Sequence, residues 1–148
     1  RPLKTCGCPP GREPICVAIM MARRSRVREI VLQILYQDDL NPDADPVESD
    51  RFLRARLKND AESIEFANVL YSGVRRNLQE LDTMLSGMAD NWSMERMAVT
   101  DRNILRLGAF ELLYTETPGR VAINEAVELA KRLLDRFARE VRKSQSAD

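Results

Sequence analysis

Four arginines crowd into six positions, Arg23, Arg24, Arg26 and Arg28, at the head of an apolar-periodic segment. Guanidinium groups at that density suit phosphate contact, as in arginine-rich RNA binders. The bland alternative is a solvated helix end, but cations at a helix N-terminus oppose the macrodipole, which weakens a purely structural account. Tyr36 lies farther along the same segment, and its ring suits either a core contact or a stacking platform. Trp92, the single tryptophan, reads as a core anchor. Catalytic chemistry is thin. The chain has no histidine, which removes Ser-His-Asp triads, Cys-His nucleophiles, histidine–metal catalysis and the histidine pH switch together. Glu125 and Glu128 share a helical face, and Asp101 and Glu111 do so more loosely, but paired carboxylates on a charged helix are ordinarily solvated. The six glycines form neither a GxGxxG nor a Walker A pattern. Cys6, Cys8 and Cys16 lie among prolines near the start, and Cys-x-Cys with one distant thiol supplies too few ligands for a metal. The expectation is a binding protein, not an enzyme, with no metal and no cofactor.

The elements that must position these residues come from composition and periodicity. The chain has 148 residues, 44% hydrophobic and 31% charged, enough to bury a core, and only 5% aromatics, which favours helices over sheets. Its 23 basic and 23 acidic side chains cancel. The cancellation hides a pattern: +5 over residues 1–37, −8 over residues 38–130 and +3 over residues 131–148. A basic entrance suits RNA, and an acidic middle suits a basic protein. No apolar run is long enough for a signal peptide core or a membrane span, so the sequence is expected to act in the cytoplasm with no membrane partner.

Periodicity predicts an all-α fold of five to six helices. A first helix over residues 23–40 carries Val27, Val31, Ile34 and Leu35, and the Pro42–Pro46 loop ends it. A short helix over 47–57 precedes one long helix from about 60 to 85, with Gly73 inside it. Mid-helix glycine costs about 1 kcal/mol against alanine, so close approach of another helix is the expected reason for Gly73. Thr100 is the expected N-cap of the next helix, and Thr117-Pro118-Gly119 ends it. A last helix starts near 122–124 with the stripe Ile123, Ala126, Val127, Ala130, Leu134, Phe137 and Val141. Residues 1–20 are expected to form a disordered leader outside the domain, read through a mis-set start. Residues 21–142 form the folded domain, and 143–148 a polar tail.

Three segments resemble the NusB family of bacterial transcription antitermination factors. The first is the arginine-rich opening helix with Leu32-Gln33-Ile34-Leu35-Tyr36. The second is Ile104-Leu105-Arg106-Leu107 with Phe110-Glu111-Leu112, and the third, the most specific, runs from Val121-Ala122-Ile123-Asn124-Glu125 to Leu129-Ala130-Lys131. Gly73, Asn77, Leu81-Asp82 and Trp92 also fall where the family has similar residues. The resemblance spans residues 22–131. It implies two small helical bundles sharing the first helix. It also implies binding of boxA RNA together with NusE, a small-subunit ribosomal protein, within the RNA polymerase antitermination complex of ribosomal RNA operons. By the same resemblance Arg23, Arg24, Arg26 and Arg28 correspond to RNA-contacting positions, with Gln33 and Tyr36 nearby. Asp101, Arg102, Arg106 and Glu111 lie on the helix that helps receive NusE.

One departure matters. The family places a Phe-Gly turn and a polar loop before its final helix, whereas here Lys131-Arg132 runs straight into Leu133-Leu134. Without a turn-former, the last two family helices are expected to fuse into one. Leu133, Leu134, Phe137 and Val141 then lose their site on the bundle, with weaker stability and RNA affinity or a changed pairing with another chain. The alternative function is a degenerate adaptor that keeps NusE and binds RNA weakly. A fragment of an RNA cytosine methyltransferase, the enzyme reading, lacks support from any cofactor loop or catalytic cysteine.

Overall fold

The computed structural model describes residues 13–88 and 93–146, except the side chains of residues 13, 14, 137 and 144. Cys6, Cys8, Trp92 and the side chain of Phe137 lie outside the described residues. In chain order the helices are α1 (Glu13–Leu40), α2 (Pro46–Arg56), α3 (Ala61–Arg76), α4 (Leu78–Met88), a 3₁₀ turn (Met94–Arg96), α5 (Val99–Tyr114) and α6 (Gly119–Ser146). There is no strand among the described residues. The all-α expectation holds.

Local chemistry sets most boundaries. Pro46 opens α2 behind Asp45, whose carboxylate accepts from the Val47 backbone N–H at 2.9 Å. Asp60 caps α3, accepting from the backbone N–H and the hydroxyl of Ser63. Between these helices Lys58 and Asn59 take left-handed backbone angles, φ 52° and 56°, to reverse the chain. α1 begins at Glu13, so its helix continues through part of the expected leader, with Ile15, Val17 and Ile19 exposed.

Three expected boundaries are corrected. The single long helix over 60–85 is two helices, because Asn77 leaves helical geometry, its backbone N–H and its side-chain amide both donating to the Gly73 carbonyl, at 3.1 and 2.7 Å. Thr100 is not a cap: α5 starts behind Ala98, and Thr100 and Asp101 sit in its first turn. α6 begins at Gly119, directly after Pro118.

α1, α2 and α3 pack together as one bundle, and α4, α5 and α6 as another; α1 also packs on α5 and α6, and α3 on α5. The shared first helix is therefore the axis of the fold. Its Val27, Ile30, Val31 and Ile34 are almost fully buried beside Leu70 and Val74 of α3 and Leu107 of α5. Each such side chain contributes about 1.5–3 kcal/mol on burial. Gly73 sits where α3 meets α5, and a methyl group there would occupy the position of the Phe110 ring. Close helix approach is thus its reason. α6 runs unbroken for 28 residues, the fused helix expected from the missing turn. Leu133 still packs at the edge of the core, while Leu134 is 68% exposed.

Candidate nucleic-acid interface

Helical geometry divides the four arginines of α1, because successive residues turn by about 100°. Arg23, Arg24 and Arg26 are exposed. Arg26, Gln33 and Tyr36 fall on one face, spread over roughly 15 Å of helix at 1.5 Å per residue. Gln33 is half-buried and Tyr36 exposed. Arg23 flanks that face. It lies beside a shallow depression lined also by Met20, Asp60 and Phe66. The hydrogen bond from Ser63, followed by the charge of Arg23, holds the Asp60 carboxyl below its usual range although burial opposes this. Arg24 points to α3, with its guanidinium 5.0 Å from the centre of the Phe66 ring.

Arg28 is a correction. Expected among the RNA-facing cations, it is instead 4% exposed and turned inward. Its Nε and one terminal nitrogen donate to the two carboxylate oxygens of Glu111, both at 2.7 Å. Glu125 lies 3.6 Å from its other nitrogen, and the Phe66 ring covers the guanidinium at 5.3 Å. The reason is its position on the helix, which faces α5 rather than solvent. Glu111, expected on the partner-facing side of α5, is corrected by the same pair: it is 2% exposed.

Arg106 is corrected likewise. It is buried, donating in a fork to Asp82 at 2.6 and 2.7 Å and to Asp39 at 3.0 Å, with Asn103 completing the cluster. Burial works against its charge, but the hydrogen bond and charge of Asp82, joined by Asp39, raise its pKa above the ordinary value. This cluster ties α1, α4 and α5 together. Asp101 remains exposed at the start of α5, and Arg102 is half-buried with its guanidinium 3.6 Å from Asp39.

Sequence reasoning missed Arg136. α6 packs on α1, and the Arg136 guanidinium donates to Glu29, which also pairs with Arg26 at 3.6 Å. Glu29 is buried while both arginine side chains are about half exposed, so one carboxylate holds two cations at a helix junction. The only sequence signal was the net positive charge after residue 130. The exposed cationic edge thus consists of Arg23, Arg26 and Arg136, with Gln33 and Tyr36 continuing along α1.

This arrangement of helices has known counterparts. The family model described as the NusB family matches residues 25–141. The chain belongs to the NusB family. It is 40% identical over 113 residues to the transcription antitermination protein NusB of Anaeromyxobacter dehalogenans strain 2CP-1, covering 76% of this chain and 80% of that protein. To the NusB protein of Pediococcus pentosaceus it is 39% identical over 122 residues, 81% of this chain and 91% of that protein. Among solved structures, NusB from T. maritima superposes with a TM-score of 0.65 at 36% identity, over 74% of this chain and 77% of that one. A structure of the antitermination factors NusB and NusE in complex with dsRNA matches with a TM-score of 0.61 at 25% identity, over 76% and 84% of the two chains. The fold is that of NusB.

Proposed function

We propose that this NusB-family chain is an antitermination factor that binds boxA-type RNA together with a NusE-type small-subunit ribosomal protein and serves the RNA polymerase antitermination complex on ribosomal RNA operons. The observation that carries the reading is the solvent-facing cationic edge of Arg23 and Arg26 along α1, joined at the α1–α6 junction by Arg136. The complex of a relative with NusE and dsRNA supports the same pairing of partners. Arg23, Arg24 and Arg26 contact phosphate, with Gln33 and Tyr36 reaching bases along the same helix. Arg28 acts from behind by fixing α1 to α5. Asp101 and Arg102 belong to the surface that receives the protein partner, while Arg106 and Glu111 hold that helix in place.

The test is a gel shift with boxA RNA, with and without NusE, across a salt series. Affinity falls as salt rises, and Arg23→Ala with Arg26→Ala flattens the dependence on log salt by roughly one for each phosphate no longer neutralised. Salt-independent binding, or no binding in the presence of NusE, overturns the proposal.

A second reading is favoured by the unbroken α6, in which the family's loop before the last helix is absent. On that reading the chain is an adaptor that keeps NusE and binds RNA weakly. Titrating NusE and RNA separately separates the two: the adaptor retains the protein affinity and loses most of the RNA affinity.

A further inference from the structure

The second half of α6 carries a row of cations that repel one another. Arg132, Arg136, Arg139 and Lys143 advance by intervals of four, three and four residues. At about 100° per residue they stay within a face roughly 60° wide over about three turns, a row about 16 Å long. Arg132 is half-buried, and the other three are exposed. Residues 131–146 hold six basic and two acidic side chains, net +4, and the acidic ones, Asp135 and Glu140, flank the row. Like charges three and four residues apart repel, so the helix gains nothing from such a row by itself. Only Lys143 lies in the last turn, where the macrodipole favours a cation. Contacts within the helix hold the outer cations weakly: Lys143 donates to exposed Glu140 at 3.1 Å, and Arg139 to the Asp135 carbonyl at 3.3 Å.

The row also has a direction. Glu125 falls on the same line of α6, and it meets α1 through the Ser25 hydroxyl at 2.7 Å and the Arg28 guanidinium at 3.6 Å. Arg136 meets α1 again through Glu29, beside Arg26. The line therefore faces α1, and Arg139 and Lys143 carry it past that junction. Glu29 is a single carboxylate between two guanidinium groups, so the junction keeps a surplus of positive charge. We propose that this row is a second RNA-binding segment, which takes the phosphate backbone of the RNA strand as it leaves Arg23 and Arg26 of α1. The inference rests on the RNA reading above and extends it to Arg132, Arg139 and Lys143. Cations of this kind position the backbone and carry no base preference, so the flanking sequence is immaterial.

Fluorescence anisotropy with NusE present tests it on two RNAs, a short boxA oligonucleotide and the same oligonucleotide extended by uridines at both ends. The extended RNA is expected to bind more tightly at low salt. Its dependence on log salt is steeper by about 0.7 for each flanking phosphate neutralised on a single strand. Arg139→Ala with Lys143→Ala removes that difference and leaves the short RNA unchanged, whereas Arg139→Lys with Lys143→Arg keeps it. Both residues are exposed, so circular dichroism of each variant matches the parent. A photoreactive side chain at position 139 crosslinks to the added uridines. One at position 134, where Leu134 is exposed on the opposite side of the helix, does not. Equal salt slopes for the two RNAs overturn the proposal, as does a difference that survives the double alanine variant. In either case, short-RNA binding that depends on Arg23 and Arg26 leaves the boxA reading standing. A parent chain that binds neither RNA overturns both.

Discussion

Arg28 and Glu111 stand 83 residues apart in the chain and meet in a forked ion pair, 2.7 Å on each prong, with both side chains almost fully buried. The pair locks the shared helix of the two bundles to α5, directly beneath the exposed arginine edge. Burying two charges is costly, and only close geometry with satisfied donors offsets it. Removing Arg28 leaves Glu111 charged and buried without its cation, and removing Glu111 leaves Arg28 only the more distant Glu125. Arg28→Ala or Glu111→Ala is therefore expected to destabilise the fold by about 3–5 kcal/mol, whereas Arg28→Met with Glu111→Leu recovers most of the loss. Urea unfolding of the single and double variants measures this. A small effect of Arg28→Ala on stability, with a large one on RNA binding, would return Arg28 to the RNA-facing surface.

Gly73 is required by Phe110 rather than by its own backbone. Alanine in mid-helix ordinarily gains about 1 kcal/mol over glycine, but here the new methyl meets the ring. Gly73→Ala is expected to cost about 1–3 kcal/mol by overpacking. Thermal melting checks this, and Phe110→Leu in the same chain should make the alanine tolerated.

Asp60 links helix capping to pH. Its folded pKa lies below the ordinary 3.8, chiefly through the Ser63 hydrogen bond. A depressed folded pKa means that the stabilisation is complete above the unfolded value and disappears as pH falls through the folded one. Asp60→Ala should lower the melting temperature at neutral pH, and the gap to the parent should close as pH drops below 3.8. A gap constant down to strong acid would show that the cap does not act through its charged form.

Arg136 tests whether the two bundles share one RNA surface. Arg136→Ala is expected to weaken boxA RNA binding uniformly across sequences and to reduce the salt slope by about one. Glu29→Gln, which leaves the arginines in place but frees them, should not reduce that slope. Equal slopes for parent and Arg136→Ala would confine the RNA surface to α1.

Much of this molecule is legible from local signals. Spacing of apolar residues marks the helices; Pro42, Pro46, Pro118 and Gly119 mark their breaks; the absence of a turn-former after Lys131 marks a continuous α6. The break at Asn77 is invisible at that level because the stripe of apolar residues continues through it without interruption. It lies in the backbone of Asn77, which leaves helical angles while its side-chain amide joins its own N–H on the Gly73 carbonyl.

The candidate interface was less legible, for a different reason. Sequence alone determined that arginines gather at the start of α1, that the middle of the chain is acidic and its end basic, and that histidine chemistry is absent. Only the tertiary structure decided which arginines reach solvent. Arg24, Arg26 and Arg28 are one residue type in one cluster, yet one lies over an aromatic ring, one stands at the edge, and one is sealed against Glu111. Helical phase relative to neighbouring helices makes that distinction, and those neighbours come from residues far away in the chain. The same phase brings Arg136 beside Arg26 through Glu29, across 107 residues of sequence. Residue type determines what a side chain can bind; packing decides whether it is offered to a ligand or spent on the fold.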